Sequence, residues 1–189
     1  MLSAIEKDII SGAEAKMQDA VAFLEASLKD YRVGKANPSV FNKVMVNYYG
    51  SMTPLPQVGA VSAPDARTLM VQPWDRSLIP AVEKAIIDSN IGLTPSNNGE
   101  VIRCTVPVLT EERRKELVKK AKGEGENTKV VIRNSRRDAI EALKKAQKAG
   151  TISEDAQHEA EDEVQKLTDK KVKDVDTLVA AKEKDILTV

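Results

Sequence analysis

The chain has 189 residues, enough for one large or two small domains. Charged residues make up 31% and aromatics only 3%, which favours a helical core of aliphatic side chains over an aromatic-rich β-sandwich. Formal net charge is zero and there is one cysteine, so a globally basic binder and an internal disulfide are both excluded.

The chain opens as a helix. Ile10, Ala13, Met17, Ala20, Leu24, Leu28 and Tyr31 fall at spacings of three and four, one sustained apolar stripe. Glu6, Lys7 and Asp8 interrupt Ile5, Ile9 and Ile10, so this start does not read as a signal peptide. No apolar run approaches membrane-spanning length, and a cytoplasmic protein is the expectation.

Residues 32–105 change character. Gly34 and Asn37-Pro38 break the helix, and Arg32-Val33-Gly34-Lys35 forms its cationic exit. Lys43 to Tyr49 alternates and predicts a strand, with Val44, Val46 and Tyr48 on one face, ending at Gly50. Thr53-Pro-Leu-Pro56 is extended or turning. Val58 to Val61 and Arg67 to Gln72 predict two further strands. A helix follows from about Leu78 to Asn90, with Ser77 as its cap and Gly92 as its end. Ser96-Asn-Asn-Gly99 reads as a hairpin turn before a strand from Val101 to Val106.

From Thr110 the pattern is helical again. Counting 100° per residue, Leu117, Ala121, Thr128, Val131, Ser135, Ala139, Ala142 and Ala146 share one face. Lys122, Lys129, Arg133, Arg136 and Arg137 cluster on the opposite side. A helix from Thr110 to Ala149 would be roughly 60 Å long at 1.5 Å per residue. Gly123 and Gly125 inside it each cost about 0.8–1 kcal/mol against Ala. Close approach of a partner backbone, a kink, or a break between two helices would each account for them. Ala149-Gly150-Thr151 ends the helix and Ser153 caps a last one, carrying Ala160, Val164, Leu167, Val175, Leu178 and Ile186.

One apolar stripe at the start and two at the end need mutual burial. The arrangement that supplies it is an α+β chain: a three-helix bundle from residues 1–31 and 106–189, with a β/α domain, 32–105, inserted by two linkers. Those linkers, near Arg32, Val33 and Gly34 and near Arg103, Cys104, Thr105 and Pro107, form a natural hinge.

The basic face carries the sharpest functional signal. Its plain reading is a solvated helix surface. Yet Lys129, Arg133 and Arg137 follow at i, i+4 and i+8, where like charges weaken a helix by a few tenths of a kcal/mol per pair. Glu126 relieves part of that repulsion; a polyanion would relieve all of it, and Arg binds phosphate through two donors at once. Little else carries chemistry. His158 is the only histidine and reads as solvated, and no phosphate-binding glycine loop is present. The carboxylates lie in helical runs such as Glu159-Ala-Glu-Asp-Glu163. Trp74 reads as core or interface and Cys104 as a small buried apolar residue. No metal, cofactor or small-molecule substrate is expected, and no enzyme activity.

Several segments together resemble bacterial ribosome recycling factor. They are Arg32-Val-Gly-Lys-Ala-Asn-Pro38, Tyr48-Tyr-Gly50, Thr53-Pro-Leu55, Ala81-Val-Glu-Lys-Ala-Ile86, Leu109-Thr-Glu-Glu-Arg-Arg114 and Arg133-Asn-Ser-Arg-Arg-Asp-Ala139. Ser153-Glu-Asp155 and Val164-Gln-Lys-Leu-Thr168 fit as well. Lys35, Trp74 and Cys104 depart from that family's usual residues, and Lys35 puts a two-donor contact there in question. The resemblance implies an L-shaped, tRNA-like monomer whose bundle lies on large-subunit ribosomal RNA. It implies a translation factor that splits post-termination ribosomes with elongation factor G, the partner hydrolysing GTP. Arg133 would be the central RNA contact, with Lys129, Arg136, Arg137 and Lys122 beside it. A helical RNA- or protein-binding adaptor without recycling activity is the rival reading.

Overall fold

The computed structural model describes residues 1–188. The chain divides into two compact units: one joins Met1–Tyr31 to the chain from Glu111 onward, and the other is Arg32–Thr110.

The first unit consists of three helices, α1 (Ala4–Lys29), α4 (Glu111–Lys148) and α5 (Glu154–Leu187), each packed on the other two. At 38 residues, α4 runs unbroken through both glycines and is about 57 Å long. Ser3 and Glu6 form a capping box at the start of α1, and the Ser153 side chain accepts a hydrogen bond from the Ala156 N–H at 3.1 Å. The core interleaves Met17, Leu24 and Leu28 of α1 with Ala121, Ile132 and Leu143 of α4 and Ala160, Val164 and Val175 of α5. Each fully buried aliphatic side chain contributes about 1.5–3 kcal/mol. Three hydroxyl residues in the stripes stay satisfied within their own helix, while buried Lys171 of α5 donates to Gln18 of α1. The Thr128, Ser135 and Thr168 hydroxyls donate to the carbonyls of Glu124, Val131 and Val164, one turn back.

One predicted face residue is misplaced. Val131 is exposed, whereas Ile132 is fully buried, along with Gly125 and Leu143. The buried arc of α4 therefore centres on Ala121, Ile132 and Ala139, and is as wide as the predicted stripe but rotated by about 40° away from Val131.

The second unit holds a four-stranded antiparallel sheet in the order β3 (Gly59–Asp65), β4 (Thr68–Pro73), β6 (Ile102–Thr105), β5 (Thr94–Asn97). A separate hairpin pairs β1 (Met45–Tyr48) with β2 (Ser51–Pro54). Helix α3 (Ile79–Asp88) packs on β1 and β5, and α2 (Leu55–Val58) is a single turn. The core gathers Phe41, Val46, Leu55, Leu69, Val71, Val82, Ile86, Ile102 and Cys104. Strand β5 and the 3-10 turn Pro38–Lys43 fall where no regular element was predicted, because Pro95 and Pro38 mask both. The predicted Ser77 cap of α3 is not formed: α3 follows Leu78 with no side-chain cap, and Asp75 instead caps the 3-10 turn Arg76–Leu78 ahead of it, accepting from the Ser77 N–H at 2.9 Å.

The predicted hinge needs correction on one side. Arg103, Cys104 and Thr105 lie in β6, an interior strand bonded to β4 on one edge and β5 on the other. Cys104 is fully buried, opposite Leu69 and Pro95. A strand held on both edges does not flex independently of its sheet. The chain passes between units at Tyr31/Arg32 and at Thr110/Glu111. Residues 106–110, placed with the bundle in the sequence reading, group with the second unit: the Val106 N–H donates to the Arg67 carbonyl at 2.7 Å. Pro107 and Leu109 lie beside Gly34, whose φ of +75° suits glycine and whose added Cβ would sit 3.1 Å from Leu109 Cγ. The Arg32 guanidinium donates to the Ile91 carbonyl at 2.5 Å.

Candidate nucleic-acid interface

Helix α4 displays the five basic residues singled out from sequence, but they are not equivalent. Three are engaged along the edge of α4 that meets α5. Lys129 Nζ lies 2.5 Å from Asp176 Oδ1 and 3.2 Å from Glu126 Oε1, with its side chain only 14% exposed. The hydrogen bond to Asp176, then that to Glu126, raises the Lys129 pKa, so the ammonium stays charged. Arg136 Nε donates to Gln165 Oε1 at 2.5 Å. Lys122 Nζ pairs with Glu183 Oε1 at 3.2 Å. These contacts fasten α4 to α5 and consume much of the charge that the helical wheel assigned to an outer face. The partners Gln165, Asp176 and Glu183 come from a segment 29 or more residues away in the chain, beyond the reach of single-helix periodicity.

Arg133 and Arg137 differ. Arg133 is exposed and, among the described residues, makes no ion pair or side-chain hydrogen bond. Arg137 is 66% exposed and approaches only its neighbour Asp138, at 4.0 Å. Between them and the helix start runs an outward seam spaced by sevens: Gly123, Val130 and Arg137. Val130 is 51% exposed and belongs to no core. Lys119, one turn before Gly123, is exposed on the same side and was not among the predicted residues. The basic residues thus lie on a flank and an outer seam, not diametrically opposite the core.

The two glycines of α4 also separate. A Cβ on Gly125 would sit 2.6 Å from Val179 Cγ2, so this glycine lets α4 and α5 approach closely. A Cβ on Gly123 would meet nothing within 4 Å.

Other candidate residues carry little chemistry. His158 is exposed, 3.8 Å from both Glu154 and Glu161. Trp74 is 69% exposed and so is not part of a core; its indole N–H donates to the Gln57 carbonyl at 3.2 Å. Burial pushes the Cys104 thiol up to about 11, which leaves it unreactive. Among the described residues, no group of three or more His, Cys, Asp or Glu could hold a metal.

A long, stiff helix with exposed outward arginines, Arg133 among them without an ion pair, suits a polyanion, and comparison with known proteins is specific about the setting. Residues 24–187 match the family model described as Ribosome recycling factor. The chain belongs to that family. Its relatives include the ribosome-recycling factor of Parabacteroides distasonis, 52% identical over 97% of this chain and 98% of that one. That of Cupriavidus taiwanensis is 53% identical over 96% and 98%. Among solved structures, a solution structure of ribosome recycling factor matches over the full length of both chains, with TM-score 0.77 and 38% identity. A second match, at TM-score 0.61, 43% identity and full coverage of both chains, is a chain from models of the T. thermophilus ribosome recycling factor and E. coli elongation factor G bound to the E. coli post-termination complex. Among the described residues no helix is long and apolar enough to cross a membrane.

Proposed function

We propose that this protein binds post-termination ribosomes and, together with elongation factor G, splits them into subunits for reuse. GTP hydrolysis belongs to elongation factor G; the chain itself acts as a non-enzymatic factor. Family membership supports the setting, as do the models of a relative and elongation factor G bound to a post-termination complex.

The observation that carries the molecular part is the unpaired, exposed Arg133 on a helix held rigid by its pairing with α5. Arg133 and Arg137 grip phosphates of large-subunit ribosomal RNA. Lys122, Lys129 and Arg136 add to the local potential while holding α4 to α5. A shaft anchored in this way transmits force instead of bending. The second unit receives the push from elongation factor G and moves about the two chain crossings. The hinge includes Arg32, Val33, Gly34 and Pro107 and leaves out the strand residues Arg103–Thr105.

Light scattering of purified post-termination ribosomes tests this reading. Addition of the protein with elongation factor G and GTP should lower the scattering, and omission of any one should not. Unchanged scattering with all three present would refute it. A helical adaptor that binds protein alone would show affinity nearly independent of salt; RNA anchoring weakens steeply as salt rises.

A further inference from the structure

Gly123 has no explanation inside the fold. It lies in the interior of a 38-residue helix, where glycine is disfavoured against alanine. Gly125, two residues on, is required by the packing of Val179, but Gly123 faces open space. It does not cap the helix, which continues for 25 residues to Lys148. It does not mark a break, because Ala121, Gly125 and Thr128 keep the buried arc in phase on both sides. Its conformation is ordinary, since its φ is not among the positive values.

Its position on the surface is informative. Gly123, Val130 and Arg137 repeat every seven residues and so form one line along α4. Lys119 and Lys122 border this line near Gly123, and Arg133 borders it near Arg137. The nearby carboxylates are each paired: Glu116, seven residues before Gly123, with Arg113 at 3.0 Å, Glu126 with Lys129 at 3.2 Å, Glu183 with Lys122 at 3.2 Å, and Asp138 with Arg137 at 4.0 Å. The line is thus uncharged and low at Gly123, apolar at Val130 and cationic along the border that carries Lys119, Lys122 and Arg133, while the other border carries Asn127 and Asn134, with Asp138 beyond.

The geometry points to a groove-following contact in which a strand of ribosomal RNA crosses α4 at Gly123, in van der Waals contact with the helix backbone. Its sugar edge lies over Val130, and its phosphates are held by Arg133 and Arg137. This rests on the reading of α4 as the RNA-facing helix and adds to it a second contact about 15 Å along the axis from Arg133. RNA is favoured over a protein partner by the cations Lys119, Lys122 and Arg133 along one border and by Arg137 at the end of the line. It is also favoured by the contact itself: an RNA minor groove is wide, shallow and lined by hydroxyls, and is recognised by shape. A side chain at position 123 would hold such a groove off the helix, while the folded protein would tolerate it.

Binding of Gly123→Ala, Gly123→Gln and Arg133→Glu to purified large ribosomal subunits tests this, with thermal melts alongside. Both Gly123 variants should melt higher than the parent, because the added side chain meets nothing in the fold and improves the helix. Affinity should nonetheless fall, a few-fold for Gly123→Ala and tenfold or more for Gly123→Gln. If both Gly123 variants bind like the parent while Arg133→Glu binds weakly, the inference fails and the reading of the basic helix stands. If Arg133→Glu also binds like the parent, both fail. A photo-crosslinker on Asn127→Cys should label ribosomal RNA; with Cys104 buried, that thiol is the one available. Capture of ribosomal protein instead would overturn the assignment of RNA as the occupant.

Discussion

The paired glycines of α4 allow a stability comparison in which most terms cancel. Gly123→Ala and Gly125→Ala make the same chemical change two residues apart in one helix, and each gains about 0.8–1 kcal/mol of helix propensity. Their surroundings differ. At 123 the new Cβ meets nothing within 4 Å; at 125 it would lie 2.6 Å from Val179 Cγ2 and 3.7 Å from Val175 Cγ1. Val179 is β-branched and in a helix keeps essentially one rotamer, so it cannot swing aside and the helices must separate locally. Overpacking of this kind costs about 1–3 kcal/mol. Gly123→Ala should therefore be more stable than the parent, and Gly125→Ala less stable than Gly123→Ala by about 1–3 kcal/mol. Equilibrium urea unfolding measures both differences directly. Adding Val179→Ala to Gly125→Ala should recover part of the loss, because removing Cγ2 removes the clash. If Gly125→Ala proves as stable as Gly123→Ala, the close approach of α4 and α5 at this level is wrong.

Arg133→Ala should reduce the slope of log affinity against log salt for large subunits by about one, the signature of one lost phosphate contact, with helix content unchanged by circular dichroism. Asp176→Asn removes the charge facing Lys129 and should cost no more than about 1 kcal/mol in urea melts, since Asp176 is 60% exposed. Tyr31 supplies a pH test. Burial first, then the charge of Glu124, raises its pKa from 10.0 to about 12. The neutral phenol is therefore favoured in the fold, and its contribution is complete below about pH 10 and lost as pH rises towards 12. Tyr31→Phe should show a shallower loss of stability across that window than the parent. Cys104 should resist thiol reagents at pH 8 in the native protein and react once urea unfolds the second unit, as followed by absorbance.

Much of the architecture can be read from local pattern. The stripe of Met17, Leu24 and Leu28, that of Ala121, Thr128 and Ala139, and that of Ala160, Val164 and Val175 all become buried. A stripe at helical spacing has one way to leave water, against other stripes, so periodicity alone implies the bundle. The strand in Lys43–Tyr49 and the cap at Ser153 are likewise local decisions. Single-position phase was less legible. Val131 and Ile132 are adjacent, equally apolar and 100° apart, and only the position of the facing helices decides which is buried.

The candidate interface divides in the same way. That α4 carries a basic side is written in residues 122–137. Which of those groups remain available is not, because Asp176 and Glu183 on another helix neutralise Lys129 and Lys122, and Gln165 on the same helix takes the Arg136 hydrogen bond. The two glycines show the same limit: identical in sequence terms, one is packed against Val179 and the other open. The hinge residues Arg103–Thr105 looked like a linker because they border the helical block, yet hydrogen bonds from β4 and β5 make them sheet interior. The amino-acid order by itself determined the helices, their buried stripes and the basic side of α4, because those follow from interactions within a few turns of chain. Pairing of charges, room beside a glycine and bonding on both edges of a strand were decided only by the tertiary structure, because each depends on atoms that folding brings in from distant segments.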